Sequence, residues 1–297
     1  MIKGIKNSIR SVLPIRDPLS QAKGNHTRSF VSYSVMRSGQ HLILDWLSRG
    51  LKNTFHLNHC WIERNGFCYT FMNWDHLTFK SGSLIEHSKG LSGQKSIERS
   101  LQENSYHCIY SFENQTGKDL IHKRFLSKIK GTKIYIIRDP YNCIASNLKL
   151  HYKQGTDPER EIKNRAKILS TLLGAASQPE DYRIVINYNK FVQSKDYRCK
   201  LASDLGLNES HGSEALDYVP DFAGGSSFSG LDQAPYLKQN VLERWREFES
   251  DSLYRDALSE GHLRQLAREF FWDCPEVLKI EQALFRSTRV QLTSARS

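Results

Sequence analysis

Apolar positions change their spacing along this chain, and each change marks an element. The run over 30–36 predicts a strand. Leu42, Ile43, Trp46 and Leu47 then recur three and four apart, which predicts a helix over 40–51 with one inward face. A second strand is predicted over 107–112, an amphipathic helix over 119–130 closed by Gly131, and a compact apolar strand over 133–137. Strand, helix, strand with connections this short is the crossover unit of a parallel sheet. Pro140 opens another helix at a position proline tolerates, with Ile144, Ala145 and Leu148 on one side. Downstream, the pattern predicts helices over 157–173, 200–206, 238–250 and 260–272, and a strand over 183–188.

Two stretches break the pattern. Residues 54–104 are rich in aromatics, His, Gly and Ser and read as irregular structure that frames a substrate pocket. Residues 220–235 are rich in Gly, Ser and Pro and read as a loop. The fold class predicted is α/β, a central parallel sheet flanked by helices, as one domain over 25–297. Residues 1–24 stand apart. Ile2, Ile5, Ile9, Val12 and Leu13 recur at helical spacing around Lys3, Lys6 and Arg10, and Pro14 and Pro18 stop the run. Two readings fit: a basic helix making peripheral membrane contact through residues 1–13, or a short helix packed on its own domain.

Composition narrows the partners. Lys and Arg number 42 against 32 Asp and Glu, a net charge of +10, which favours polyanionic ligands. The basic residues form no block interleaved with aromatics, and the expectation is no nucleic-acid partner. No run is long and apolar enough to span a bilayer, and no signal-type stretch opens the chain, so a cytoplasmic protein is expected. The six cysteines lack paired spacing and read as reduced, buried thiols. His56, His59, Cys60, His76 and His87 match no zinc pattern, so no metal is expected.

The chemistry sits at two strand ends. Arg37-Ser38-Gly39-Gln40-His41 follows the first strand and opens the first helix. A glycine at such a turn lets N–H groups face outward at the positive end of the helix dipole, and Arg37 adds a permanent cation: a phosphate site. The Lys-Ser/Thr pair of a magnesium-dependent phosphate loop is absent, as is the Gly-x-Gly-x-x-Gly fingerprint of dinucleotide binders. Arg138-Asp139-Pro140 ends the 133–137 strand, with Ser146 eight residues after the arginine. An arginine fork and a hydroxyl there would hold a second phosphate.

In these segments the chain resembles the sulfotransferases that use 3′-phosphoadenosine-5′-phosphosulfate. That family grips the 5′-phosphosulfate with a basic residue followed by Ser-Gly and two threonines, where this chain has Gln40 and His41 for the threonines. It grips the 3′-phosphate with Arg-Asp-Pro and a serine at the spacing of Arg138 and Ser146. A later strand ending in Tyr-Glu-Asp-Leu corresponds to the segment holding Tyr188, with Asn189 in place of the usual acid. The resemblance implies a P-loop-like nucleotide fold, with 3′-phosphoadenosine-5′-phosphosulfate as co-substrate. It places Tyr188 near adenine and makes Arg37 the stabiliser of the leaving oxygen.

A base must take the acceptor's proton. Glu113, just past the 107–112 strand, fills that role by position, with His41 as the alternative. Over 224–230, Ser227 and Gly230 belong to a candidate phosphate-covering loop, and Arg244 or Lys238 would add charge. The acceptor expected is a small molecule or glycan, a carbohydrate or lipid head group, offering a hydroxyl. Two rivals stand beside this reading: a non-catalytic nucleotide-binding relative, and a kinase-like enzyme, which the missing Lys-Ser/Thr pair disfavours.

Overall fold

The structure is a computed structural model that describes residues 11–13, 26–51, 54–63, 66–71, 106–114, 131–179, 183–216 and 240–285. Seven strands form one sheet: β1 (Ser11–Leu13), β2 (His26–Ser34), β3 (Thr54–Glu63), β4 (Gly66–Phe71), β5 (Tyr106–Glu113), β6 (Thr132–Ile137) and β7 (Arg183–Asn187). Their order is β1-β4-β3-β5-β2-β6-β7, with a four-stranded parallel centre. Parallel β3 and β5 run with Thr54 beside His107 and Leu57 beside Tyr110. With helices added, this is the α/β fold the spacing predicted. The crossover after β5 does not reach a neighbouring strand, because β2 lies between β5 and β6.

The chain divides into two compact units, the first made of residues 1–33, 44–134 and 181–184. Its core is apolar around β2 and β5, where the Tyr33 and Phe112 rings stack at 5.6 Å. β3 is different: its buried positions include Thr54, His56 and Cys60. His56 Nε2 lies 2.8 Å from Ser111 Oγ, which satisfies two buried polar groups at once.

Two expectations are corrected in this unit. Residues 54–71 are not irregular: β3 and β4 form an antiparallel hairpin, Glu63 opposite Gly66. Polar residues in the buried phase of β3 hid its alternation. Val12 and Leu13 are not helical, since β1 lies antiparallel on β4 with Val12 opposite Cys68. Their apolar side chains suit a sheet position as well as a helix stripe. Residues 1–10 and 14–25 lie outside the described residues, as do the helix expected over 119–130 and all of 72–104.

The second unit holds residues 34–43, 135–180 and 185–297. It receives the last residues of β2, β6 and β7 and the loops that follow them. The helix α1 (Gln40–Leu51) begins here, with the bounds its spacing predicted. Next comes α2 (Pro140–Gln154), whose N-cap Asp139 accepts from the Asn142 N–H and whose Gly155 closes it at φ +62°. Its first nine residues, 140–148, are all buried. Then follow α3 (Glu159–Ser177) and, after β7, the short α4 (Tyr188–Gln193), capped by the Asn187 side chain. Tyr188 therefore starts a helix rather than ending a strand. Of the helix expected over 238–250, the described part, 240–250, is a turn and a 3-10 segment, Arg244–Phe248, tied to α2 by side chains. Helices Ser252–Leu258 and Pro275–Phe285 were not foreseen, whereas Gly261–Phe271 was.

Candidate functional site

The turn after β2 is strung on α2. Within it, the Ser38 N–H donates to Val35 O at 3.0 Å. Asn147 Nδ2 donates to Met36 O at 3.1 Å, and Arg138 Nη1 donates to Arg37 O at 2.9 Å. Three successive carbonyls are thus held by donors of this unit. The chain then enters α1, whose first-turn N–H groups have no partners within the helix and carry the dipole's positive end. Arg37 and Gly39 take φ +69° and +84° to make this turn. At Gly39 a side chain is also excluded by space: a Cβ there would sit 2.0 Å from the Tyr188 ring. Gln40 is buried and accepts a hydrogen bond from Ser34 Oγ, which braces the helix start. The Ser38 hydroxyl is buried and has no hydrogen-bond partner among the described residues. His41 is half-buried.

The loop after β6 brings Arg138 to the same turn. Its guanidinium is 1% exposed and lies 4.8 Å from the centroid of the Tyr188 ring. Besides Arg37 O it donates to Val241 O, and its Nε has no partner among the described residues. Both acceptors are neutral carbonyls, so neither brings a formal negative charge to the guanidinium. Asp139 faces another way. Its carboxylate takes the Asn142 N–H at 2.7 Å, the Asn142 amide, and Asn189 Nδ2 at 2.9 Å.

A third arginine completes the cluster. Arg244 is buried and donates Nη1 to Ser146 Oγ at 2.9 Å. Ser146 in turn gives its proton to Asn142 O, so the serine seats Arg244. Burial first, then the Arg138 charge and, more weakly, Arg37, push the Arg244 guanidinium down from its ordinary value to about 9. Burial raises the Tyr188 phenol, while Arg138 and Arg244 pull it back. Buried Arg138 and Arg244 both act on the Tyr188 ring, and half-buried Arg37 adds a like charge felt at Arg244, an arrangement that favours an anion.

The structure therefore brings together Arg37, Ser38, Gly39, Gln40, His41, Arg138, Ser146 and Tyr188, all in the second unit. Glu113 is half-buried at the end of β5, in the first unit. Ser227, Gly230 and Lys238 lie outside the described residues. Among the described residues, no group of His, Cys, Asp and Glu could hold a metal ion, and no helix is long and apolar enough to cross a membrane. Sequence reasoning named Arg244 only as spare charge and gave Asn142 and Asn189 no role. Arg244 sits 98 residues from its partner Ser146, so no local spacing could have flagged it.

Fold and site together define an α/β protein in which two arginines that follow strands, half-buried Arg37 and buried Arg138, share a site with buried Arg244 of the 3-10 segment. No family model matches the chain, and no curated protein matches it. Among solved structures it is similar to the sulfotransferase domain of an olefin synthase from Synechococcus PCC 7002: 14% identity, 84% of this chain and 97% of that one covered, TM-score 0.48. It is also similar to the sulfotransferase domain of the curacin biosynthetic pathway, at 12% identity, 88% and 98% coverage and TM-score 0.47. A sulfotransferase from Alicyclobacillus acidocaldarius matches at 10% identity, 87% and 96% coverage and TM-score 0.39.

Proposed function

We propose that this chain moves a sulfuryl group from 3′-phosphoadenosine-5′-phosphosulfate to a hydroxyl on a carbohydrate or lipid head group. The observation that carries the reading is the arginine cluster. Arg138, and more weakly half-buried Arg37, act on buried Arg244 as like charges, and a ligand with phosphates at both ends would bring opposite charge among them. The buried Ser38 hydroxyl is a free donor for the same ligand. Arg37, with the N–H groups opening α1, would hold the 5′ end. Arg138 and Arg244 would hold the 3′-phosphate, and Ser146 would keep Arg244 in place.

The reaction forms a bond between the acceptor oxygen and sulfur, and breaks the bond from sulfur to the bridging oxygen. Negative charge collects on the leaving adenosine 3′,5′-bisphosphate, where fixed cations stabilise it most. The acceptor's proton goes to Glu113, the base proposed from its position at the end of β5, with His41 as the alternative.

Calorimetric titration with adenosine 3′,5′-bisphosphate tests the reading. Wild type should bind with a Kd on the order of micromolar. Arg138→Ala should weaken binding about a hundredfold, as expected for losing a buried charged contact. Arg138 also holds two carbonyls, so Arg244→Gln serves as a second variant with the same expected direction. Folded wild type that ignores millimolar bisphosphate would remove the proposal. Tight binding with no transfer to any hydroxyl acceptor would make the chain a non-catalytic nucleotide-binding relative. Glu113→Gln should leave binding intact and lower turnover by about 10²-fold or more. Unchanged turnover takes Glu113 out of the mechanism.

A further inference from the structure

Asn189 is fully buried one residue after Tyr188, and both faces of its amide are used on a single neighbour. Its Oδ1 accepts from the Asp139 N–H at 3.3 Å, and its Nδ2 donates to Asp139 Oδ2 at 2.9 Å. The partners fix which end of the amide is which, since an N–H must meet an acceptor and a carboxylate must meet a donor. Asp139 is the N-cap of α2 and the residue after Arg138. Asn189 therefore bolts the start of α4 to the start of α2. That bolt sets Tyr188 against Arg138, whose guanidinium rests on the tyrosine ring.

We propose that Asn189 is the positioning residue of the arginine cluster, and that its amide has to be neutral. It touches no ligand in this proposal. It fixes the loops after β6 and β7 in register, so that Arg138 stands where an anion can meet it. The inference rests on the anion-binding reading of the cluster.

The charge requirement follows from the surroundings. A carboxylate at 189 would face the Asp139 carboxylate with no donor between them. Asp139 already raises the hydroxyls of Tyr254 and Tyr141 and the thiol of Cys274, in each case behind the effect of burial. Cys274 also feels Asp273 and Lys190, Tyr141 also feels Glu281 and Arg264, and Tyr188 feels Arg138 and Arg244. The cations nearest Tyr188 do not donate to Asp139, whose donors are Asn142 and Asn189. Two carboxyls in that spot would share one proton, retained well above the ordinary carboxylate range.

The test is Asn189→Asp, titrated with adenosine 3′,5′-bisphosphate at pH 5 and pH 8. Wild type is measured at each pH, because the ligand's own phosphates also titrate. At pH 8 the variant should bind about tenfold or more weakly than wild type. At pH 5 a retained proton restores the donor, and the variant-to-wild-type ratio should return towards one. Asn189→Ala supplies the neutral control, with weakened binding and a ratio that does not change with pH. A ratio for Asn189→Asp that is flat with pH, or equal to one throughout, overturns the proposal.

Denaturant unfolding of the same proteins decides the matter even without ligand. The paired carboxyls bind more protons folded than unfolded between about pH 4 and their raised value, so stability must fall as pH rises through that window. Asn189→Asp should thus be less stable than wild type at pH 8 and recover at pH 5. No recovery overturns the inference. If wild type unfolds normally but never binds bisphosphate, the nucleotide reading falls while the unfolding data still judge Asn189.

Discussion

At the scale of single residues, the site is built from exclusions as much as from contacts. Gly39 turns at φ +84° with the Tyr188 ring where its side chain would be. Gly39→Ala must move that ring, which is itself under Arg138. The expected outcome is a loss of about 2–4 kcal/mol in denaturant unfolding, combining overpacking with left-handed strain, and a weaker bisphosphate Kd. A variant as stable as wild type would show that the turn yields elsewhere. Asn189 belongs to the same scale. In this chain Asp139 presents a carboxylate to it, and the Asn189 amide answers as donor at 2.9 Å.

At the scale of elements, what could be read from the sequence depended on whether burial and hydrophobicity coincide. They do in α1, where Leu42, Ile43, Trp46 and Leu47 are all buried, and its limits followed from their spacing. They do again in α2, with Ile144, Ala145 and Leu148 buried. They part in β3, whose buried positions carry Thr54, His56 and Cys60, so its alternation reads as polar against the core. The segments 37–41 and 138–146 were legible because each combines a strand end, a turn residue and a helix start. Arg244 was not, because its place is set by Ser146 and by the Asn142 amide donating to Leu242 O at 3.0 Å, about a hundred residues away in the chain. Asn142 also accepts from the Trp245 N–H at 3.3 Å. That one side chain ties the 3-10 segment to α2 at two backbone positions.

At the scale of the whole molecule, the cluster sets binding against stability. A buried cation exchanged for an apolar side chain of similar size is often neutral or stabilising, by about 1–4 kcal/mol. Ser146 keeps its bond to Asn142 O without Arg244, so no hydroxyl is stranded. Arg244→Met should therefore raise the apo Tm at pH 7.5 while weakening bisphosphate binding. The sign of the pH dependence follows from the lowered guanidinium. Above about 9 the folded chain releases a proton that the unfolded chain still holds, so wild-type stability rises with pH there. The Tm advantage of Arg244→Met should accordingly shrink at pH 10.5. A constant advantage, or a loss of Tm at pH 7.5, would contradict the repulsion described at the site.

The span between α2 and residues 241–245 has a consequence for biosynthesis. Arg138 reaches Val241 O across 103 positions, and Ser146 reaches Arg244 across 98. Chains emerge from the ribosome N-terminus first, and contacts this far apart form late. A nascent chain released before residue 241 would present Arg138 without one of its acceptors and Ser146 without its arginine. Messages truncated there would yield proteins that carry every strand of the sheet yet lack the third arginine of the cluster.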